Sequence, residues 1–88
     1  MLNYFQQALT LYDKILDTMK VTNQEYFATT MNKGITYILL NQPVKGNDVL
    51  KTLYDKQTDQ KYREYLIPLM NKPRKEVVDY LTLEKNHS

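Results

Sequence analysis

Apolar residues recur every three or four positions along most of the chain, which is the spacing of one face of an α-helix. Polar residues such as Gln6, Asp13 and Lys14 take the opposite positions near the start. The first apolar stripe consists of Phe5, Ala8, Leu9, Tyr12, Ile15, Leu16 and Met19. The pattern therefore predicts a helix over residues 2–19.

A second helix is predicted to begin at Thr22, because Thr22 and Glu25 have the spacing of a capping box. Residues 35–40 would also suit a buried strand, but no second strand is present to pair with them. Pro43 should end this helix and can begin the next one. The apolar arc is wide, which favours neighbours on two sides: Tyr26, Phe27, Met31, Gly34, Ile35, Tyr37, Ile38, Leu39 and Leu40.

Three more helices follow, separated by a polar break at residues 57–59 and a second break at residues 71–73. The stripe of the fourth helix continues past Pro68 in register, so we predict one kinked helix there. Residues 84–88 are predicted to be a frayed tail, which leaves a single domain over residues 1–83. The three stripes are Gly46, Val49, Leu50, Leu53, Tyr54; then Tyr62, Tyr65, Leu66, Leu69, Met70; and then Val77, Val78, Leu81.

Composition agrees with an all-α fold. The 88 residues are 42% hydrophobic and include only two glycines and three prolines. Few turn-forming residues suit long helices with short connections, as in antiparallel helix pairs. There is no cysteine for a disulfide or thiolate site, and no run of about 20 apolar residues that could cross a bilayer. No signal peptide is recognisable, so we expect a cytoplasmic protein without membrane contact.

Catalytic chemistry is poorly represented in the sequence. The only histidine is His87, which lies in the predicted tail and cannot hold a defined geometry there. Asp13 and Asp17 lie one turn apart, and Asp55 and Asp59 do so approximately, but nearby lysines favour solvated helix surface over a cation site. No phosphate loop, zinc spacing or nucleophile elbow is present. We therefore expect no enzymatic activity, no metal and no cofactor.

The net charge of +2 is spread along the chain, with twelve basic and ten acidic residues. The densest basic stretch is Lys72, Arg74 and Lys75 around Pro73, followed at once by Glu76. Nucleic-acid surfaces usually concentrate positive charge on one face. The run is thus interpreted as a solvated helix start, with weak nucleic-acid binding as the alternative.

Gly34, Tyr37 and Gly46 have the small, aromatic and small spacing that resembles a tetratricopeptide repeat, and Leu50 takes the following bulky position. Two glycines inside helices each cost about 1 kcal/mol relative to alanine. Close helix crossing at both glycines would explain that cost. The fold prediction is a tetratricopeptide-like helical repeat of about five helices. An up-down helical bundle is the alternative, since Thr30 and Lys33 depart from the pattern.

A narrower resemblance covers roughly residues 27–70. Residues 32–42, 46–53 and 61–66 resemble the end of the C-terminal domain of Rgg-type bacterial transcriptional regulators. In that family a helix-turn-helix head precedes helices that bind signalling peptides and support dimerisation. The resemblance implies a peptide-responsive regulatory module here, with DNA contacted only through a domain absent from these residues. The alternative is a stand-alone helical scaffold or dimerisation protein.

Two sets of binding residues follow from this register. The positions of the second helix that would face a peptide groove are Met31, Asn32, Ile35, Ile38 and Leu39. The alternative for this stripe is packing against neighbouring helices. The terminal helices of a short repeat array expose apolar faces, which predicts a homodimer. Its candidate interface residues are Phe5, Leu9, Tyr12, Leu16, Val77, Val78 and Leu81.

Overall fold

The computed structural model describes residues 2–20 and 24–87, with side chains for residues 4–20 and 24–83. Within those ranges the chain forms α-helices and no strand, which confirms the all-α class. None of these helices is long and apolar enough to span a bilayer. The helices are α1 (Leu2–Leu16), α2 (Gln24–Leu39), α3 (Pro43–Lys56), α4 (Gln60–Leu66) and α5 (Arg74–His87).

Helix α2 lies at the centre of the fold. It packs most extensively on α3, then on α1, and touches α5 more lightly. A cluster of buried side chains joins α2, α3, α4, the turn after α4, and α5. Helix α1 contributes no fully buried side chain among its described residues. The cluster consists of Phe27, Ile38, Leu50, Leu53, Leu66, Leu69 and Val77.

Helices α2 and α3 approach each other closely at their two glycines. A Cβ built on Gly46 would lie 2.5 Å from the carbonyl oxygen of Gly34 and 2.6 Å from Cγ1 of Ile38. A Cβ on Gly34 would lie 2.8 Å from two side-chain carbons of Leu50. Neither position has room for a side chain, so the glycine spacing in the sequence marks a real helix crossing.

The connection between α2 and α3 has the form of a Schellman motif at Asn41, whose φ is 63°. The N–H of Gln42 donates to the carbonyl of Tyr37, and the N–H of Asn41 donates to that of Ile38. Pro43 then occupies the first turn of α3, where a missing N–H is harmless. The predicted break and restart at Pro43 are confirmed, while Thr22 of the predicted capping box lies outside the described residues.

Helix α1 ends earlier than predicted. Its last residue is Leu16, and residues 17–19 form turns in which Thr18 and Met19 donate to the carbonyls three residues back. The hydroxyl of Thr18 also donates to the carbonyl of Ile15 at 2.8 Å. The bonds to carbonyls three residues back tighten the last turn, and the α-helical pattern ends there.

The prediction of one kinked helix through Pro68 is wrong. Helix α4 stops at Leu66, and the N–H groups of both Leu69 and Met70 turn back onto the Leu66 carbonyl. Pro68 has no N–H to donate, and its ring would clash with the carbonyl four residues earlier. The apolar stripe continues because the turn also buries Leu69, which is 3% exposed.

Helix α5 is longer than predicted, because its backbone is helical from Arg74 to His87 and includes most of the expected tail. Its start is fixed by polar contacts. The Asn71 N–H donates to Oδ1 of Asn47 on α3 at 2.7 Å, and Nδ2 of Asn47 donates back to Oδ1 of Asn71. Nε of Arg74 donates to the Leu39 carbonyl at the end of α2. These bonds tie the α5 entrance to both central helices.

Candidate functional site

An open apolar groove lies between the first half of α2 and helix α4. Its volume is about 430 Å³. We call it the tyrosine groove, and it is lined by Gln24, Glu25, Phe27, Ala28, Met31, Tyr62 and Tyr65. Ligand sites are commonly concave and mostly apolar, with a few polar groups at the edge. This groove has that character.

The aromatic rings of the tyrosine groove are in mutual contact. The Phe27 and Tyr62 centroids are 5.3 Å apart with planes at 51°, and those of Tyr62 and Tyr65 are 6.2 Å apart at 52°. Nε2 of Gln24 donates a hydrogen bond to the Tyr62 hydroxyl. Phe27 is buried in the core, whereas Tyr65 is 51% exposed. The groove thus has a rigid aromatic wall and one ring available to a partner.

Of the predicted peptide-binding residues, only Met31 lines this groove. Ile38 is 1% exposed and packs at the glycine crossing, so the core interpretation is the correct one for this residue. Ile35 is half-buried against the core, and Leu39 is half-buried with its carbonyl bonded to Arg74. Asn32 is exposed, and its backbone carbonyl accepts from the Thr36 hydroxyl. The structure does not bring the five residues into one site.

The predicted dimer residues likewise differ in burial, from fully buried to half-buried. Val77 is fully buried in the core and offers no surface to a second copy. Val78 and Leu81 are half-buried, and Leu81 packs against the core cluster. On α1 every predicted residue is half-buried, so the helix presents a continuous, partly covered apolar stripe: Phe5, Leu9, Tyr12 and Leu16.

Two of the carboxylates discussed from the sequence have structural roles. Asp13 forms an ion pair with Lys33 of α2 at 2.7 Å. Asp59 caps α4 by accepting from the Lys61 N–H at 2.9 Å. Within the described residues no cluster of three metal-ligating side chains occurs. The side chain of His87 lies outside the described part of the chain.

The sequence did not locate the tyrosine groove, although its tyrosine content favoured core packing and left open that some tyrosines line a groove. The signal available was the excess of tyrosine, eight residues in all, with Tyr62 and Tyr65 three apart on one helix. All eight tyrosines are described, and each keeps at least partial exposure. The hydrogen bond between α2 and α4 joins residues 38 positions apart in sequence, a proximity that periodicity does not reveal.

Comparison of this chain with protein-family models, curated proteins and solved structures finds no match. The function of the protein is therefore inferred from its own residues and their geometry.

Proposed function

We propose that this protein is a non-catalytic interaction module that binds a peptide segment of a partner in the tyrosine groove. One observation carries the proposal: the half-exposed Tyr65 and the partly buried Met31 both line an apolar groove of about 430 Å³. The occupant that fits is a peptide inserting an aromatic or aliphatic side chain. Tyrosine supplies rigid contact area there and a hydroxyl for the peptide backbone.

The expected affinity follows from the size of the groove. Burial of one large apolar side chain contributes about 1.5–3 kcal/mol, and a favourable ring pair adds about 0.5–1.5 kcal/mol. A micromolar complex needs about 8 kcal/mol in all. One anchoring side chain is therefore insufficient, and flanking contacts along α2 and α4 must supply the remainder. We expect a weak, reversible interaction for short peptides.

Substitution of Ala28 by arginine tests the site. Ala28 is exposed at the groove, so Ala28→Arg should fill the groove with a charged side chain and leave the core intact. Peptides selected on the parent from a random library are expected to be rich in aromatic and aliphatic residues. Their affinity for Ala28→Arg, measured by fluorescence anisotropy, should fall about tenfold or more, since every 1.4 kcal/mol is a factor of ten.

Val44→Arg is the matched control, because Val44 is 76% exposed and does not line the tyrosine groove. It adds the same charge elsewhere and should leave peptide affinity unchanged. Equal binding by parent and Ala28→Arg would rule out the tyrosine groove as the site.

The resemblance to Rgg-type regulators gives this proposal a more specific form. In this more specific proposal, the module is the C-terminal regulatory part of such a regulator, and a separate domain contacts DNA. The close crossing at Gly34 and Gly46 and the exposed groove on α2 are compatible with a tetratricopeptide-like peptide binder.

A second candidate function, dimerisation, is favoured by the apolar stripe of α1. The stripe is half-exposed along its length, and the one extensive helix contact of α1 among the described residues is with α2. A second copy of the chain would cover it by antiparallel or parallel helix packing.

We expect the parent to sediment as a dimer at micromolar concentration. Leu9→Glu should shift it to monomer, because a carboxylate would be desolvated in the interface without a partner. Leu11→Glu is the control, since Leu11 is 56% exposed and lies outside the stripe. Sedimentation of the parent as a monomer at high concentration would contradict this function.

A further inference from the structure

A second groove lies on another face of α2, beside α3 and the end of α1. Its volume is about 340 Å³, and it shares no residue with the tyrosine groove. We call it the lysine groove; its walls include Leu16, Tyr26, Lys33, Lys45, Val49 and Lys56. Leu53, 4% exposed, also lines it, so its centre is apolar.

The charges of the lysine groove are unbalanced. Three lysines line it against one carboxylate, that of Asp48. Lys33 is neutralised by its ion pair with Asp13. The Lys45 ammonium lies 5.2 Å from the centroid of the Tyr37 ring, and neither Lys45 nor Lys56 has a carboxylate within ion-pair distance in the described part of the chain. Two cations are thus available to a ligand.

The distance between Lys45 and Lys56 indicates which shape of ligand could contact both ammonium groups. Lys45 and Lys56 lie on one side of α3, eleven residues apart, which is about 16 Å at the helical rise. In an extended peptide, residues two and four positions apart lie on the same face, and four positions span about 13 Å. Flexible lysine side chains cover the remaining difference. In such a peptide, carboxylates at the first and fifth positions would reach Lys45 and Lys56. An apolar side chain at the third position would then lie over Val49 and Leu53.

We propose that the lysine groove binds an extended acidic peptide with the pattern acidic, any, apolar, any, acidic. The acidic side chains pair with Lys45 and Lys56, and the apolar one enters the groove between them. A nucleic-acid strand fits less well, because Asp48 stands in the groove and would repel a continuous row of phosphates. This binding is independent of the tyrosine groove.

Two fluorescein-labelled peptide pools test the proposal on the full chain by fluorescence anisotropy. Both are acetylated and amidated at their ends and carry a central leucine between randomised positions. One pool has glutamate at both outer positions, and the other has glutamine. The glutamate pool should bind about tenfold more tightly at low salt, and the difference should shrink as salt screens the exposed charges.

The double variant Lys45→Glu with Lys56→Glu should remove the preference for the glutamate pool. Its control is Lys14→Glu with Lys51→Glu, which makes the same charge change at exposed positions outside the groove. Equal binding of the two pools by the parent, or an equal loss in the control, would overturn the proposal. Displacement of the glutamate pool by a single-stranded oligonucleotide at equal concentration would also overturn it, in favour of a nucleic-acid partner.

Discussion

Gly46→Ala is expected to lower the free energy of unfolding by about 2–3 kcal/mol, although alanine is the better helix former by about 1 kcal/mol. The added methyl group would lie 2.5 Å from the Gly34 carbonyl oxygen and 3.1 Å from the Ile38 nitrogen. Both are backbone atoms, so relief requires α2 and α3 to move apart and to open the packing around Leu50. Urea denaturation followed by circular dichroism measures the change.

The size of this effect depends on which atoms must move, and Gly34 provides the comparison. A methyl group there would lie 2.8 Å from two carbons of the Leu50 side chain and 3.2 Å from the Gly46 carbonyl oxygen, so mainly a side chain would have to move, and Gly34→Ala should be milder than Gly46→Ala. Gly34→Leu exceeds what Leu50 can accommodate and should again be clearly destabilising. A Gly46→Ala protein as stable as the parent would show that the helices are not in close contact there.

Ile38→Asp is expected to abolish the helical circular dichroism signal. Ile38 is 1% exposed, so the carboxylate would be buried at the crossing. An unpaired charge in such a place costs several kcal/mol, and an 88-residue domain has only roughly 4–13 kcal/mol of stability. Most of the protein should therefore unfold.

Ile67→Asp is the control for this experiment, because Ile67 is 52% exposed and tolerates a charge. It should keep the helical signal and most of the stability. A folded Ile38→Asp protein would restore Ile38 as a surface residue and with it the peptide groove predicted along residues 31–39.

Several parts of the fold could be predicted because their causes are local. The break at Pro43 follows from the missing N–H and the restricted residue before it. The crossing could be inferred from Gly34 and Gly46, since a glycine inside a helix is unfavourable unless a neighbour needs the space. Helix number and class follow from periodicity, which is a property of neighbouring residues.

The remaining features depend on contacts between distant residues. The apolar stripe through Leu66 and Leu69 has helical spacing, yet a turn at Pro68 also buries both side chains. The spacing alone therefore did not distinguish a continuous kinked helix from a helix followed by a turn. Met31 and Ile38 both lie on α2 at apolar positions. Only the arrival of α4 beside one and α3 beside the other makes the first a groove residue and the second a core residue.

The glycine crossing also bears on the entropy of the chain. Gly34 and Leu50 meet sixteen residues apart in sequence, and Ile38 and Gly46 only eight, whereas Phe27 and Tyr62 are joined across thirty-five. Loop-closure entropy rises with the logarithm of separation, by about 0.6 kcal/mol for each doubling. The close packing at the two glycines thus closes short loops, and the continuous segment of residues 24–56 contains it without either terminal part of the chain. Helices α2 and α3 therefore form a hairpin whose contacts at the crossing cost little loop-closure entropy, and α1, α4 and α5 pack against it.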